Sequence, residues 1–192
     1  HASSYTFEPD VHYVEEKGQL SKQPQVTEYF SFYCPHCYRS EPFMADVKRL
    51  LAKPEAFKKV HVDSMPGRSV EIEHELTKAL TVAKLLDAEE KLIPAIFKYI
   101  HVDKGTFTTA KDVKELFVLH GVDANKYDSL IKSFQVKATA NKMRKDTEAL
   151  RRQGVTTVPT LIINNKYKPE LKQIKTMAEY KALVAFLLEK TA

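Results

Sequence analysis

Cys34-Pro35-His36-Cys37 is the stretch of this 192-residue chain whose residue types and spacing carry chemistry. The chain has two cysteines in all. They stand three positions apart, so they do not form a framework that closes distant loops. Sulfurs at this spacing serve either reversible dithiol–disulfide exchange or half of a metal site. A structural zinc site needs four ligands, and no second C-x-x-C exists. His61, His101 and His120 are scattered without metal-ligand spacing, so no metal and no added cofactor is expected. An inert buried pair is equally disfavoured, because a Pro-His dipeptide at a helix start does nothing for packing. Exchange chemistry remains.

That chemistry assigns the two sulfurs different roles. A dense β-branched and aromatic run, Val26 to Tyr33, ends at Cys34, and a helical pattern follows it. Cys34 is then expected at a helix N-terminus, where free N–H groups and the dipole favour a thiolate, the reactive species. His36, when protonated, adds positive charge beside the same sulfur. Cys37, one turn on, is expected to be deeper and to act as the resolving thiol. A disulfide closing so small a ring stabilises the folded chain by about 2 kcal/mol. A depressed thiolate pKa stabilises the reduced form instead, and at pH 7 it offsets the ring once that pKa nears roughly 5 to 6.

The surrounding elements read as β-β-α-β, a helical block, then β-β-α. Val11 to Val14 is a short strand candidate, and Val26 to Tyr33 looks apolar on both faces. Phe43, Val47, Leu50 and Leu51 continue the helix after Cys34, with Pro42 expected to bend it. Val60 to Val62 is the next strand. From about residue 68 to residue 153 apolar positions recur at helical spacing. Ile72, Leu76, Leu80, Ala83 and Leu86 form one face, and Asp87 with Glu90 reads as a capping pair for the next helix. Gly121 is expected to close a third helix, and Val136 to Leu150 suggests a longer fifth one. Thr160 to Asn164 and Lys166 to Lys168 form a hairpin around Asn164-Asn165, and Thr176 with Glu179 reads as a capping box. Neither flank could close a sheet by itself. The pattern predicts one α/β domain interrupted by an all-helical insertion.

Composition narrows the partners. Apolar residues make up 43% of the chain, compatible with a real core. No stretch approaches the roughly 20 apolar residues that cross a bilayer, so the chain is not expected to be membrane-embedded. The net charge of +5 is spread among acids along most of the chain. The denser basic clusters, Lys142 to Lys145 and Arg151-Arg152, lie in a helical pattern without aromatic platforms, so nucleic acid is not indicated. His1-Ala2-Ser3-Ser4 shows no charged region followed by an apolar run; any secretory signal is expected to have been removed.

The segment Glu28-Tyr29-Phe30-Ser31-Phe32-Tyr33-Cys34-Pro35-His36-Cys37-Tyr38 closely resembles the DsbA family of bacterial periplasmic disulfide oxidases. Val158-Pro159-Thr160 is similar to the cis-proline loop of thioredoxin-fold proteins, and the helical block has that family's size and position. The resemblance implies a thioredoxin-like domain over 1–66 and 142–192, with a helical insertion domain over 67–141. It implies Cys34 as the nucleophile, flanked by Pro35 and His36, with Val158 and Pro159 offering backbone to a substrate strand. It matches Glu28 and Lys59 to an acid–base pair that shuttles the second cysteine's proton. Glu28 stands in an apolar strand, where an ionised carboxylate is costly, and the simpler reading is a carboxylate paired with Lys59. His61 reads as a neutral core residue. Arg39, Pro42 and Thr160 depart from better-known members at positions that tune redox poise and release.

The expected function is donation of the Cys34–Cys37 disulfide, the molecule's own redox centre, to folding cysteine-containing polypeptides in the periplasm. A DsbB-type membrane partner is expected to reoxidise it, and the protein is expected to act as a monomer. An isomerase or reductase on the same fold is the alternative, and a peptide-binding chaperone module is a third reading.

Overall fold

The structure, a computed structural model, describes residues 5–66 and 68–192. The N-terminal His1 to Ser4, and Gly67 at the start of the expected insertion, lie outside the described residues. The described residues fall into two compact units, one within 1–29, 39–59 and 157–192 and the other within 30–38 and 60–156. The expected insertion, 67–141, falls inside the second unit, which is wider at both ends.

Five strands form one sheet in the order β1-β5-β4-β2-β3. They are β1 (Tyr13–Glu15), β2 (Val26–Phe30), β3 (Phe57–His61), β4 (Thr160–Ile163) and β5 (Tyr167–Pro169). Strands from before and after the helical block therefore share one sheet, which is why neither flank closes it separately. β2 runs antiparallel to β4, with Glu28 opposite Leu161 and Tyr29 opposite Thr160. The two-sided apolar strand expected at 26–33 is shorter and one-sided. Val26, Glu28 and Phe30 are buried, while Thr27 and Tyr29 are partly exposed.

In the first unit, α2 (Glu41–Lys48) and α8 (Met177–Leu188) cover the sheet. Phe43, Met44 and Val47 from α2, and Leu183, Val184, Leu187 and Leu188 from α8, join Val26, Leu161 and Ile163 in one core. Each such side chain, fully buried, contributes about 1.5–3 kcal/mol. The β4–β5 hairpin turns at Asn164 and Asn165, at φ 52° and 60°, a backbone that asparagine tolerates better than most residues. Asn164 also donates through Nδ2 to the carbonyls of Leu187, Leu188 and Lys190, satisfying orphan groups at the end of α8. At the start of α8, Thr176 accepts from the Glu179 N–H, but the Glu179 carboxylate accepts from Lys175 rather than closing the expected box.

The second unit is built around α3 (Val70–Leu85), which packs against α4 (Glu89–His101), α5 (Ala110–Leu119), α6 (Ala124–Ile131) and α7 (Phe134–Arg152). Its predicted face is buried at Ile72, Leu76, Leu80 and Ala83. Side-chain oxygens of Ser69, Asp123 and Ser133 cap α3, α6 and α7. Asp87 does not cap α4: Ala88 holds that position, and Asp87 sits at φ 52° in the preceding turn. The complete capping box belongs to α5, between Thr109 and Asp112. Gly121, at φ 93°, follows α5 in the left-handed conformation that a helix stop requires. No described helix is long and apolar enough to cross a membrane.

Candidate active site

The long helix expected after Cys34 is two helices. α1 covers Pro35–Arg39, and α2 begins at Glu41 with Pro42 in its first turn, where its missing N–H costs nothing. The break at Ser40 leaves the first helix only five residues long. β2 stops at Phe30, so Ser31 to Tyr33 form a turn before the cysteine. In that turn the Cys34 N–H donates to the Ser31 carbonyl at 3.1 Å.

Cys34 takes the N-cap position of α1, and its Sγ accepts from the Cys37 N–H at 3.2 Å. Pro35 and His36 are exposed, Cys34 is partly exposed, and Cys37 is fully buried. The Cys34 sulfur is thus the more accessible of the two. The Cys34 thiol is lowered to about 6. The side-chain hydrogen bond from Cys37 contributes most to this, and burial opposes it. Backbone N–H groups of Cys37 and His36 and the His36 charge lower it further. The free N–H groups expected at the helix start therefore act on the sulfur directly, although α1 is little more than one turn long.

Glu28, Lys59 and Glu41 form a second group. Glu28 is fully buried on β2. Lys59 Nζ on β3 donates to Glu28 Oε1 at 2.5 Å and to Glu41 Oε2 at 2.9 Å. Burial disfavours the Lys59 charge, but the carboxylates of Glu28 and Glu41 outweigh it and raise the pKa. The predicted pair is therefore a triad. Glu41 was missed because nothing in the pattern around Pro42 said that the helix restarts there.

Val158 and Pro159 form the third group, in the loop entering β4. Their peptide bond is cis and both residues are half-buried. Thr160 Oγ1 donates to the Thr157 carbonyl at 2.7 Å, tying that loop to the start of the strand.

His61 is buried, and desolvation pushes its imidazole down to about 3. Its neutral Nε2 accepts from the Phe32 N–H at 3.2 Å. Among the described residues no cluster of His, Cys, Asp and Glu could hold a metal ion.

Residues 25–181 match the family model of the DSBA-like thioredoxin domain. The thiol:disulfide interchange protein DsbA of Pectobacterium carotovorum subsp. carotovorum is 32% identical over 198 residues, spanning 98% of this chain and 92% of that protein. The DsbA of Salmonella typhi is 31% identical with the same coverage. Among solved structures, the disulfide oxidoreductase DsbA from Proteus mirabilis superposes with a TM-score of 0.80 at 28% identity, covering 96% of this chain and 98% of that one. The DsbA disulfide interchange protein from Klebsiella pneumoniae gives a TM-score of 0.81 at 26% identity, covering 97% and 100%. With the thioredoxin-like sheet interrupted by helices, and the Cys34–Cys37 pair at the head of its own short helix, this chain belongs to the DsbA family of thiol:disulfide oxidoreductases.

Proposed function

We propose that this protein oxidises cysteine pairs in unfolded or folding secreted polypeptides of the bacterial periplasm. A substrate thiolate attacks Cys34 Sγ of the Cys34–Cys37 disulfide, and Cys37 leaves as the thiolate and takes up a proton. A second substrate thiolate attacks the substrate sulfur of this mixed disulfide, and Cys34 departs as a thiolate. Two electrons pass from the substrate dithiol to the protein, and the substrate gains one disulfide. The carrying observation is the Cys34 cradle: a thiolate lowered to about 6 by neighbouring donors is a good leaving group. The redox group is the protein's own cysteine pair.

Val158 and Pro159 are assigned to the substrate main chain, by resemblance. A DsbA from Proteus, carrying a cysteine-to-serine change, is known with a non-covalently bound peptide PWATCDS. Glu28 with Lys59 is assigned to proton transfer at Cys37, a role that its full burial and ion pair support. The division into a thioredoxin-like domain over 1–66 and 142–192 and an insertion over 67–141 belongs to the same reading, supported by the helical character of α3 to α6. A DsbB-type membrane partner reoxidises the dithiol, and the protein acts as a monomer.

The test is to mix the oxidised protein with an excess of a reduced, unfolded, cysteine-containing polypeptide and count thiols on both sides. The expected result is one substrate disulfide per protein disulfide consumed, and none with Cys34→Ser. Repair of scrambled disulfides with no oxidant present, without net oxidation, would assign an isomerase instead.

A further inference from the structure

Phe32, two residues before Cys34, has both of its backbone polar groups held by histidine side chains. On one side the His61 Nε2 accepts its N–H, while His61 Nδ1 lies 2.8 Å from Thr77 Oγ1. The Thr77 hydroxyl donates onward to the Glu73 carbonyl at 3.1 Å. On the other side His101 Nε2 lies 2.7 Å from the Phe32 carbonyl oxygen. A carbonyl only accepts, so His101 Nε2 carries the proton and donates it. The His101 ring also stacks on Tyr38, with centroids 5.3 Å apart and planes within 9°. Tyr38 lies four residues after Cys34, and its N–H donates to the Cys34 carbonyl at 3.1 Å. One imidazole at the end of α4 therefore grips the chain on both sides of the reactive sulfur.

The geometry points to His101 as a positioning residue for the exchange reaction: it brackets the turn from Phe32 to Tyr38 and holds Cys34 in register with its N–H donors. The Cys37 N–H meets Cys34 Sγ only in one narrow relation of turn to helix, since a hydrogen bond weakens steeply as its angle closes. Phe32 must not slide along the chain and Tyr38 must not swing away. His101 restrains both at once. His61 restrains Phe32 alone.

Two substitutions separate these restraints. His101→Phe keeps a flat ring against Tyr38 and removes the donor. His101→Gln keeps a donor of similar reach and removes the ring. The readouts are the pH profile of Cys34 alkylation and the equilibrium of the cysteine pair with glutathione. For His101→Phe the alkylation midpoint is expected to rise, and the equilibrium to move threefold or more toward the protein disulfide. His101→Gln is expected to stay nearer the native values. Tyr38→Leu, which leaves the donor in place, is expected to shift both readouts in the same direction, and it serves if His101→Phe does not fold. Native-like values within twofold for both His101→Phe and Tyr38→Leu would overturn the assignment. So would equal melting losses in the oxidised and reduced forms with no change in their ratio, the mark of a merely structural residue. The inference rests on Cys34 as the exchanging sulfur. Native protein that resists alkylation at Cys34 below pH 7 would fault that reading instead.

Discussion

Raising the pH should stabilise the reduced protein against the oxidised one, by an amount set by the Cys34 thiol. The cysteine pKa is lowered from 9.0 to about 6 on folding. A group whose folded pKa is depressed contributes stability that is complete above the unfolded value and is lost as pH falls through the folded one. The contribution is thus negligible at pH 5. At pH 7 it reaches at most about 1.4 kcal/mol, and nearer ~1 kcal/mol once solvent screening at a partly exposed sulfur is allowed for. It grows by up to about 1.4 kcal/mol for each further pH unit, until pH nears 9. Against it stands the four-residue ring, which favours the oxidised form by about 2 kcal/mol less any strain. The oxidised form should therefore lead by at most about 2 kcal/mol at pH 5 and at most about 1 at pH 7, with parity reached no later than about pH 8. Guanidinium melts of both forms at pH 5, 7 and 8, analysed with the linear extrapolation, measure the difference directly. A difference that is constant to within about 0.5 kcal/mol over that range would refute the cradle as the source of the thiolate.

The side-chain hydrogen bond from Cys37 outranks the His36 charge in lowering Cys34. Cys37→Ala should accordingly raise the alkylation midpoint of Cys34 more than His36→Ser does, and the reverse order would contradict the structure. Lys59→Met removes the cation paired with the buried Glu28, and should cost about 3 kcal/mol in urea melts. Adding Glu28→Gln to Lys59→Met should recover part of that loss; strictly additive losses would show that the two residues do not interact. His61, held neutral with its pKa near 3, makes the fold less stable as pH falls from about 6.5, by up to about 1.4 kcal/mol per unit. In His61→Gln, acid melts of the oxidised form between pH 6 and 4 should show a shallower decline than in the native protein. An equal decline in both would place that acid sensitivity elsewhere.

Much of the site was legible in the sequence because short motifs report local chemistry. The C-x-x-C after a strand told which sulfur stands at a helix start and which lies buried, and the Asn164-Asn165 turn told where the hairpin reverses, as positive φ at both residues bears out. The sequence reads as one helix after Cys34 because Phe43, Val47 and Leu50, all beyond Ser40, keep a regular helical phase and carry no sign of a break before them. Periodicity does not register one residue that interrupts the hydrogen bonds. β2 was drawn too long for a similar reason. Ser31, Phe32 and Tyr33 are strand-like in type, but Phe32 spends its N–H on His61 and its carbonyl on His101 instead of a strand. Those partners lie 29 and 69 positions away, a separation at which one sequence carries no pairing signal. Glu41 beside Lys59 was hidden in the same way. Periodicity did convey the helical block as a whole, since five amphipathic segments between strands leave little choice of class.

The central claim is that exchange passes through Cys34, with Cys37 resolving. Its most direct measurement is to incubate oxidised native protein, Cys37→Ser and Cys34→Ser with a cysteine-containing peptide under a glutathione buffer, quench with acid, and weigh the products. Cys37→Ser should accumulate a peptide disulfide at Cys34, Cys34→Ser should form almost none because Cys37 is fully buried, and the native protein should hold the adduct only transiently. An adduct that forms at Cys37 as readily as at Cys34 would contradict the account.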